Sequence, residues 1–244
     1  MEAIMALGPK ALSFYASIVL YAACVLYALV LIVPRLGGGG GGRSNLLKKK
    51  PSQYSMDDIF ELSAMADEYE MAQEPYSAQY MADLALQIAE QYELSDTEKE
   101  SLRIAALLHD VGQIEEYDFI QEERALRHGE RQELEDHPIW GYQRLKEMGP
   151  EYETAALWVR WSHEHWDGTG YPDGIQGDHI PVPARILSLC DAYCAMMQDR
   201  PYRAALSQEE TIAELRRYAG IKYDPQMVQL FGVEESQTTA LEVV

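Results

Sequence analysis

From Ala11 to Val33 the chain runs 23 residues without a charged side chain and is closed by Pro34 and Arg35. As a helix, at about 1.5 Å per residue, such a run reaches roughly 34 Å, enough to cross a bilayer. It exceeds the apolar stretch of a secretory signal, and no small-residue cleavage site closes it, so a retained transmembrane helix over 11–33 is expected. From Pro51 onward the pattern changes. No stretch alternates with β-branched residues over a useful length, whereas several windows repeat apolar residues every three or four positions. Ile59, Leu62, Ala66 and Met71 mark one helix, and Met81, Leu84, Ile88 and Ala89 a second. Ser95 with Glu98 is a capping-box pair, opening a helix through Leu102, Ala105 and Leu107 into His109. Pro138 suits a first helical position, a further helix is expected over Tyr152 to His165, and Pro183 opens a long apolar one through Met196. Ser207 with Glu210 caps another, and Asp224-Pro225 starts a short last one. The body is therefore all-α.

Only Lys10 precedes the apolar run, whereas Arg35, Arg43, Lys48, Lys49 and Lys50 follow it. Positive charge stays on the cytoplasmic side, so this asymmetry predicts a single-pass protein of the inner (cytoplasmic) membrane with its C-terminal body in the cytoplasm. The expected organisation is a short external tail at 1–10, the span at 11–33, a Gly-rich basic linker at 34–53, a folded body at 54–232 and a flexible tail at 233–244. Gly37 to Gly42 are six consecutive glycines, which make a flexible tether and a poor transmitter of conformational signals.

The whole chain has 244 residues, 47% of them hydrophobic, a composition that excludes collagen-like and wholly disordered classes. Its formal charge is −20, and since residues 1–50 hold six of the 20 basic side chains and one of the 40 acidic ones, the remainder stands at −25. So acidic a body is not a binder of bulk nucleic acid. Any anionic substrate needs a local concentration of positive charge, from metal ions or a few arginines. Three cysteines make no disulfide framework, and Cys190 and Cys194, four apart on one helix face, read as small core residues.

The residues with chemical potential come in a definite order. His109-Asp110 places an imidazole beside a carboxylate at the end of an apolar helix, a pair that can share a cation. His137-Pro138 follows, then the run from His163-Glu164-His165 through Asp167-Gly168-Thr169-Gly170-Tyr171-Pro172, then Arg185-Ile186-Leu187 leading to Asp191, then Asp199-Arg200-Pro201-Tyr202-Arg203. From about Tyr76 to Phe231 this succession resembles the HD-GYP family of the HD phosphohydrolases.

The resemblance implies an HD-type helical bundle holding iron or manganese, with hydrolysis of cyclic di-GMP as its activity. It implies metal ligands at His109, Asp110, His137, His163 and Asp191, with Asp110 also catalytic. Arg200, Arg203 and Tyr171 fall at substrate-contact positions. The loop of Asp167, Gly168, Gly170, Tyr171 and Pro172 is the family's contact with diguanylate cyclase domains. Four positions depart from the family pattern. Ser162 and Tyr76 stand where it has histidine ligands, Gln113 where it has the lysine of the HD-x-G-K motif, and Cys194 where it has an acid. With two imidazoles gone, one firmly held divalent ion is expected rather than two.

The leading functional reading is a membrane-tethered, metal-dependent phosphodiesterase of cyclic di-GMP. The first alternative is a catalytically impaired module that binds cyclic di-GMP or recruits diguanylate cyclase partners. The second is a single-metal HD phosphohydrolase of another nucleotide.

Overall fold

The computed structural model describes residues 54–70, 76–114, 129–130, 134–199 and 203–229, the side chains of 68–70 excepted. All belong to the second of two compact units, Lys49–Val244. The expected span at 11–33 and Arg200 lie outside the described residues; among those described, no helix is long and apolar enough to cross a membrane.

The described residues are all-helical. Among the described residues seven α-helices follow one another, α1 Met56–Glu70, α2 Ala78–Ala89, α3 Asp96–Leu107, α4 His137–Met148, α5 Glu153–Arg160, α6 Val182–Met197 and α7 Gln208–Arg217, and the expected last helix starts at Pro225. The only pairing resembling a strand among them is an isolated bridge between Ala219 and Tyr223. Both capping boxes form as expected. Ser95 Oγ accepts the Glu98 amide while Glu98 Oε2 accepts the Ser95 amide at 2.8 Å, and Ser207 and Glu210 repeat the exchange at the head of α7. Each box satisfies two of the amide donors that a helix start leaves without partners.

The apolar stripes then meet. α2 packs on α3 and α6, α5 on α3 and α6, and α4 on α5. Leu102, Leu107, Leu108, Leu145, Leu187 and Leu189 are at most 1% exposed at these contacts. Each such side chain contributes about 1.5–3 kcal/mol on burial. Two departures from the expected boundaries matter for function. α3 stops at Leu107, so His109 and Asp110 occupy the turn that follows it, just before a 3-10 turn at Val111–Gln113. α5 stops at Arg160 and does not continue to His165. The chain is drawn out of the helix there because the next residues tie to the loop ahead: Arg160 and Trp161 both bind Asp173, and Glu164 is buried.

Gly112 sets how closely α4 approaches the turn after α3. A Cβ at this position would lie 2.2 Å from the His137 carbonyl oxygen and 2.5 Å from the Gly141 nitrogen, both rigid backbone. Only a residue without a side chain lets the head of α4, and so His137, come down onto Asp110. Gly112→Ala should therefore destabilise the body by about 1–3 kcal/mol through overpacking, read as a lower midpoint in urea denaturation. An unchanged midpoint would show that the helix moves aside freely.

Candidate metal centre

His109 and Asp110 are 9% and 5% exposed, and His137, the first residue of α4, is 4% exposed. His109 Nδ1 lies 2.9 Å from the Ala106 carbonyl oxygen, and His137 Nδ1 lies 2.6 Å from that of Leu134. A carbonyl oxygen only accepts, so both Nδ1 atoms carry the proton and donate. In the neutral ring Nε2 is then a bare lone pair. His109 Nε2 is 3.0 Å from Asp110 Oδ2 and 3.9 Å from Asp191 Oδ1, and His137 Nε2 is 3.5 Å from Asp110 Oδ1. His137 Nε2 is buried without a hydrogen-bond partner. Lone pairs directed at a carboxylate repel it unless the ring takes a second proton or a cation stands between. A backbone carbonyl fixing Nδ1–H while Nε2 faces an anion is the arrangement that metal-binding histidines adopt.

His163 completes the group from the turn beyond α5. Its ring meets that of His137 edge-on at 4.6 Å and stacks on Tyr171 at 5.2 Å with 6° between the planes. Desolvation, reinforced by the neighbouring His137, pushes its pKa down to about 3, so the imidazole stays neutral and able to ligate. Tyr171 is held well above the usual phenol range by burial and then by the Asp191 carboxylate, so it remains a neutral hydroxyl.

The loop that brings Tyr171 back over His163 is built from its own residues. Gly170 passes so close that a Cβ would lie 2.2 Å from the His165 nitrogen and 2.5 Å from the His163 carbonyl oxygen. Asp167 Oδ1 accepts both the amide and the hydroxyl of Thr169, and Gly168 takes a positive φ of 82°. The Tyr171–Pro172 peptide is cis. Buried Glu164 accepts the amides of Asp173 at 2.7 Å and Gly174 at 3.0 Å, while its Oε2 has no hydrogen-bond partner. Burial raises its pKa. Arg160 grips Asp173 with two N–H groups at 2.7 and 2.8 Å, which lowers the Asp173 pKa. Behind the loop, the Trp166 and Asp167 amides donate to Lys222 and Ile221, and Arg185 lies over the Trp166 ring while binding Asp224 at 2.8 Å.

His109, Asp110, His137, His163 and Asp191 thus come into one neighbourhood from four separate stretches of chain. The other expected site residues divide. Gln113 donates to Asp110 Oδ1 at 2.7 Å, so it positions the carboxylate and adds no cation. Arg203 donates to the carbonyls of Ala195 and Met196 at the end of α6 and to that of Ala204, which commits three of its five N–H groups to backbone. Ser162 spends its proton on the Val159 carbonyl at 2.8 Å. His165 does not lie on a helix, as the sequence suggested, but in the loop, where Nδ1 meets the Thr169 hydroxyl at 3.0 Å. Glu164, Asp173 and Arg160, which hold the loop, had no individual signal beyond the motif around them.

Among the described residues, no three histidine, cysteine, aspartate or glutamate side chains stand in a ready-made chelate. The donors contact one another directly, and an ion would take the place of those contacts. Three imidazoles with protonated Nδ1 or neutral rings, and two carboxylates, are a donor set suited to a first-row divalent metal, and the unpartnered His137 Nε2 supports the fit.

The family profile described as HD domain matches residues 56–227. The chain belongs to the HD domain family, in its HD-GYP branch. It is 35% identical over 150 residues to the cyclic di-GMP phosphodiesterase response regulator RpfG of Xanthomonas campestris, covering 61% of this chain and 40% of that one. It is 33% identical over 159 residues to a 3'3'-cGAMP-specific phosphodiesterase of Vibrio cholerae, covering 64% and 34%. The chain therefore spans well under half the length of these two relatives. A solved cyclic GMP-AMP-specific phosphodiesterase from V. cholerae shares the fold with a TM-score of 0.57 at 19% identity, over 73% of this chain and 48% of that one. An HDG"Y"P protein from Bdellovibrio bacteriovorus does so at 0.53 and 18%, over 74% and 62%.

The depressed pKa of His163 has a consequence for stability. The unfolded imidazole takes up a proton below about 6.5 and the folded one only near 3, so between these values the unfolded state binds more protons and acid favours it. Denaturation midpoints of the metal-free protein should fall as the pH is lowered from 6.5 towards 3. His163→Asn should flatten that part of the profile; equal slopes for the two proteins would contradict the assignment.

Proposed function

We propose that the chain is a metal-dependent phosphodiesterase of cyclic dinucleotides, with cyclic di-GMP as its substrate and cyclic GMP-AMP as the close alternative. The observation that carries this reading is that His109 and His137, each held at Nδ1 by a backbone carbonyl, both turn Nε2 toward the one Asp110 carboxylate. That arrangement calls for a cation, and a cation is what a body of charge −25 requires to receive a phosphodiester. The relatives named for these two substrates support the choice of ligand.

His109, Asp110, His137, His163 and Asp191 would hold the ion. When bound, a divalent ion supplies positive charge for the phosphoryl oxygens and acidifies water for in-line displacement at phosphorus. The chain's own residues prepare the ground for that chemistry. The Ala106 and Leu134 carbonyls fix the tautomers of His109 and His137, so neither ring needs to reorganise. Gln113 holds Asp110 in one rotamer, and the Tyr171 ring shields one face of His163 from water.

The impaired-module alternative has one observation in its favour: Gln113 occupies an oxygen of Asp110 and brings no charge to the phosphate. The two readings separate in one assay. The full chain with Mn²⁺ or Fe²⁺ should convert cyclic di-GMP to pGpG or GMP, and Asp110→Ala should lower the rate by about 10² or more. Binding of the dinucleotide without turnover under either metal would establish the module instead, and capture of diguanylate cyclase domains would then be tested at the Tyr171 loop.

We also propose that residues 11–33 tether the body to the inner face of the cytoplasmic membrane. The full chain should sediment with membranes and resist extraction by high salt and alkaline carbonate, while a chain starting at Pro51 should stay in the supernatant. Release of the full chain by salt alone would reduce the attachment to Lys48, Lys49 and Lys50 on anionic head groups.

A further inference from the structure

Helix α6 carries Asp191 to the ion site, and six residues earlier on the same helix stands Arg185. The Arg185 side chain is only 12% exposed. Its Nε donates to the Ile180 carbonyl oxygen at 2.7 Å, just ahead of the helix, and Nη1 donates to Asp224 Oδ2 at 2.8 Å. The Asp224 side chain is 5% exposed, and its other oxygen, Oδ1, accepts the Gln226 amide at 2.8 Å, so the carboxylate is fixed from both sides. Asp178 also reaches Nη1, at 3.5 Å, but it is 92% exposed and water screens the contact. The guanidinium carbon lies over the Trp166 indole, 5.3 Å from the ring centre.

Trp166 is the point at which the loop bearing Tyr171 both begins and closes. Its amide donates to the Lys222 carbonyl, and its own carbonyl accepts the Gly177 amide, both at 2.9 Å. Whatever fixes the Trp166 ring therefore fixes the foot of the loop that lays Tyr171 on His163. A planar guanidinium can stack on the indole and bind the carboxylate in one fixed orientation, which an ammonium cannot do. Along α6, Arg185 and Asp191 stand about 9 Å apart at roughly 1.5 Å per residue. The helix thus acts as a rigid ruler between a carboxylate of the ion site and the foot of the loop.

We propose that Arg185 is a positioning residue, which acts through the Trp166 ring to set the Tyr171 loop in register with the ion site and so governs how tightly a cyclic dinucleotide is held. This inference rests on the dinucleotide reading of that site. Misplacing a substrate-orienting group by about 1 Å costs on the order of 10² in efficiency, so a small shift of the loop is enough to matter.

Removing the charge outright would strand Asp224 in the interior, so the variants are Arg185→Lys, which keeps it, and Trp166→Leu, which removes the ring and leaves the ion pair whole. In the purified full chain, both should speed amide hydrogen exchange in the peptide 166–177 by about tenfold and leave α3 and the head of α4 as in the wild type. Mn²⁺ affinity should not change. With cyclic di-GMP, KM should rise by about tenfold while kcat falls less than about threefold. The double variant should be no worse than either single one, because both remove the same contact. Exchange at 166–177 equal to the wild type, or raised throughout the body, would overturn the assignment, and so would additive losses in the double variant. A loosened loop with unchanged KM would reduce Arg185 to a stabilising residue. If the wild type binds cyclic di-GMP without turnover, the phosphodiesterase reading falls, and the positioning role is decided by the same shifts in the dissociation constant. A wild type that neither binds nor hydrolyses the dinucleotide would bring down both.

Discussion

Two backbone carbonyls decide what this protein can do. By accepting the Nδ1 protons of His109 and His137, the Ala106 and Leu134 oxygens turn the other nitrogen of each ring toward Asp110. A fold that brought the same residues together with the opposite tautomers would have made two ordinary hydrogen bonds to the carboxylate and a closed, inert cluster. Here both rings present to the carboxylate the nitrogens that are able to ligate a cation. The rest of the architecture serves that convergence: the end of α3 at Leu107 frees His109 and Asp110 from helical geometry, and Gly112 admits the head of α4.

Much of this was legible in the chain. Seven helices with their two capping boxes follow from three-to-four spacing and from Ser95, Glu98, Ser207 and Glu210, because caps and apolar stripes are local properties. The five donors followed from their motifs, and the fold gathers them. The boundaries at Arg160 and Leu107 were not legible. Nothing in Trp161, Ser162 or His163 disfavours a helix, and what ends α5 is a set of contacts with Asp173 and Gly174 made about ten residues further on. The role of Arg203 was hidden for the same reason. A cation six residues beyond a helix reads equally well as a phosphate contact or as a partner for the last carbonyls of α6, and only the returning path of the chain decides.

Gln198, which ends α6 and donates its amide N–H to the Tyr76 carbonyl oxygen, is the instructive omission. It belongs to no motif, and a glutamine after an apolar helix is an ordinary sequence event. Its importance comes from burial, which removes the water that would have satisfied its amide oxygen and so turns a neutral side chain into a demand for a donor. The same holds for Glu164, whose carboxylate is one residue from His163 yet holds the loop opposite it through the amides of Asp173 and Gly174.

The loop over His163 leans on the turn formed by Tyr218 to Tyr223, which receives the amides of Trp166 and Asp167 on the carbonyls of Lys222 and Ile221. A polypeptide cut short after α7 would keep His109, Asp110, His137, His163 and Asp191 in its sequence and lose the shelf on which the Tyr171 loop rests. The far end of the domain is thereby a structural prerequisite for a loop encoded more than fifty residues earlier, and any splice or fusion placed upstream of that turn would sever the two.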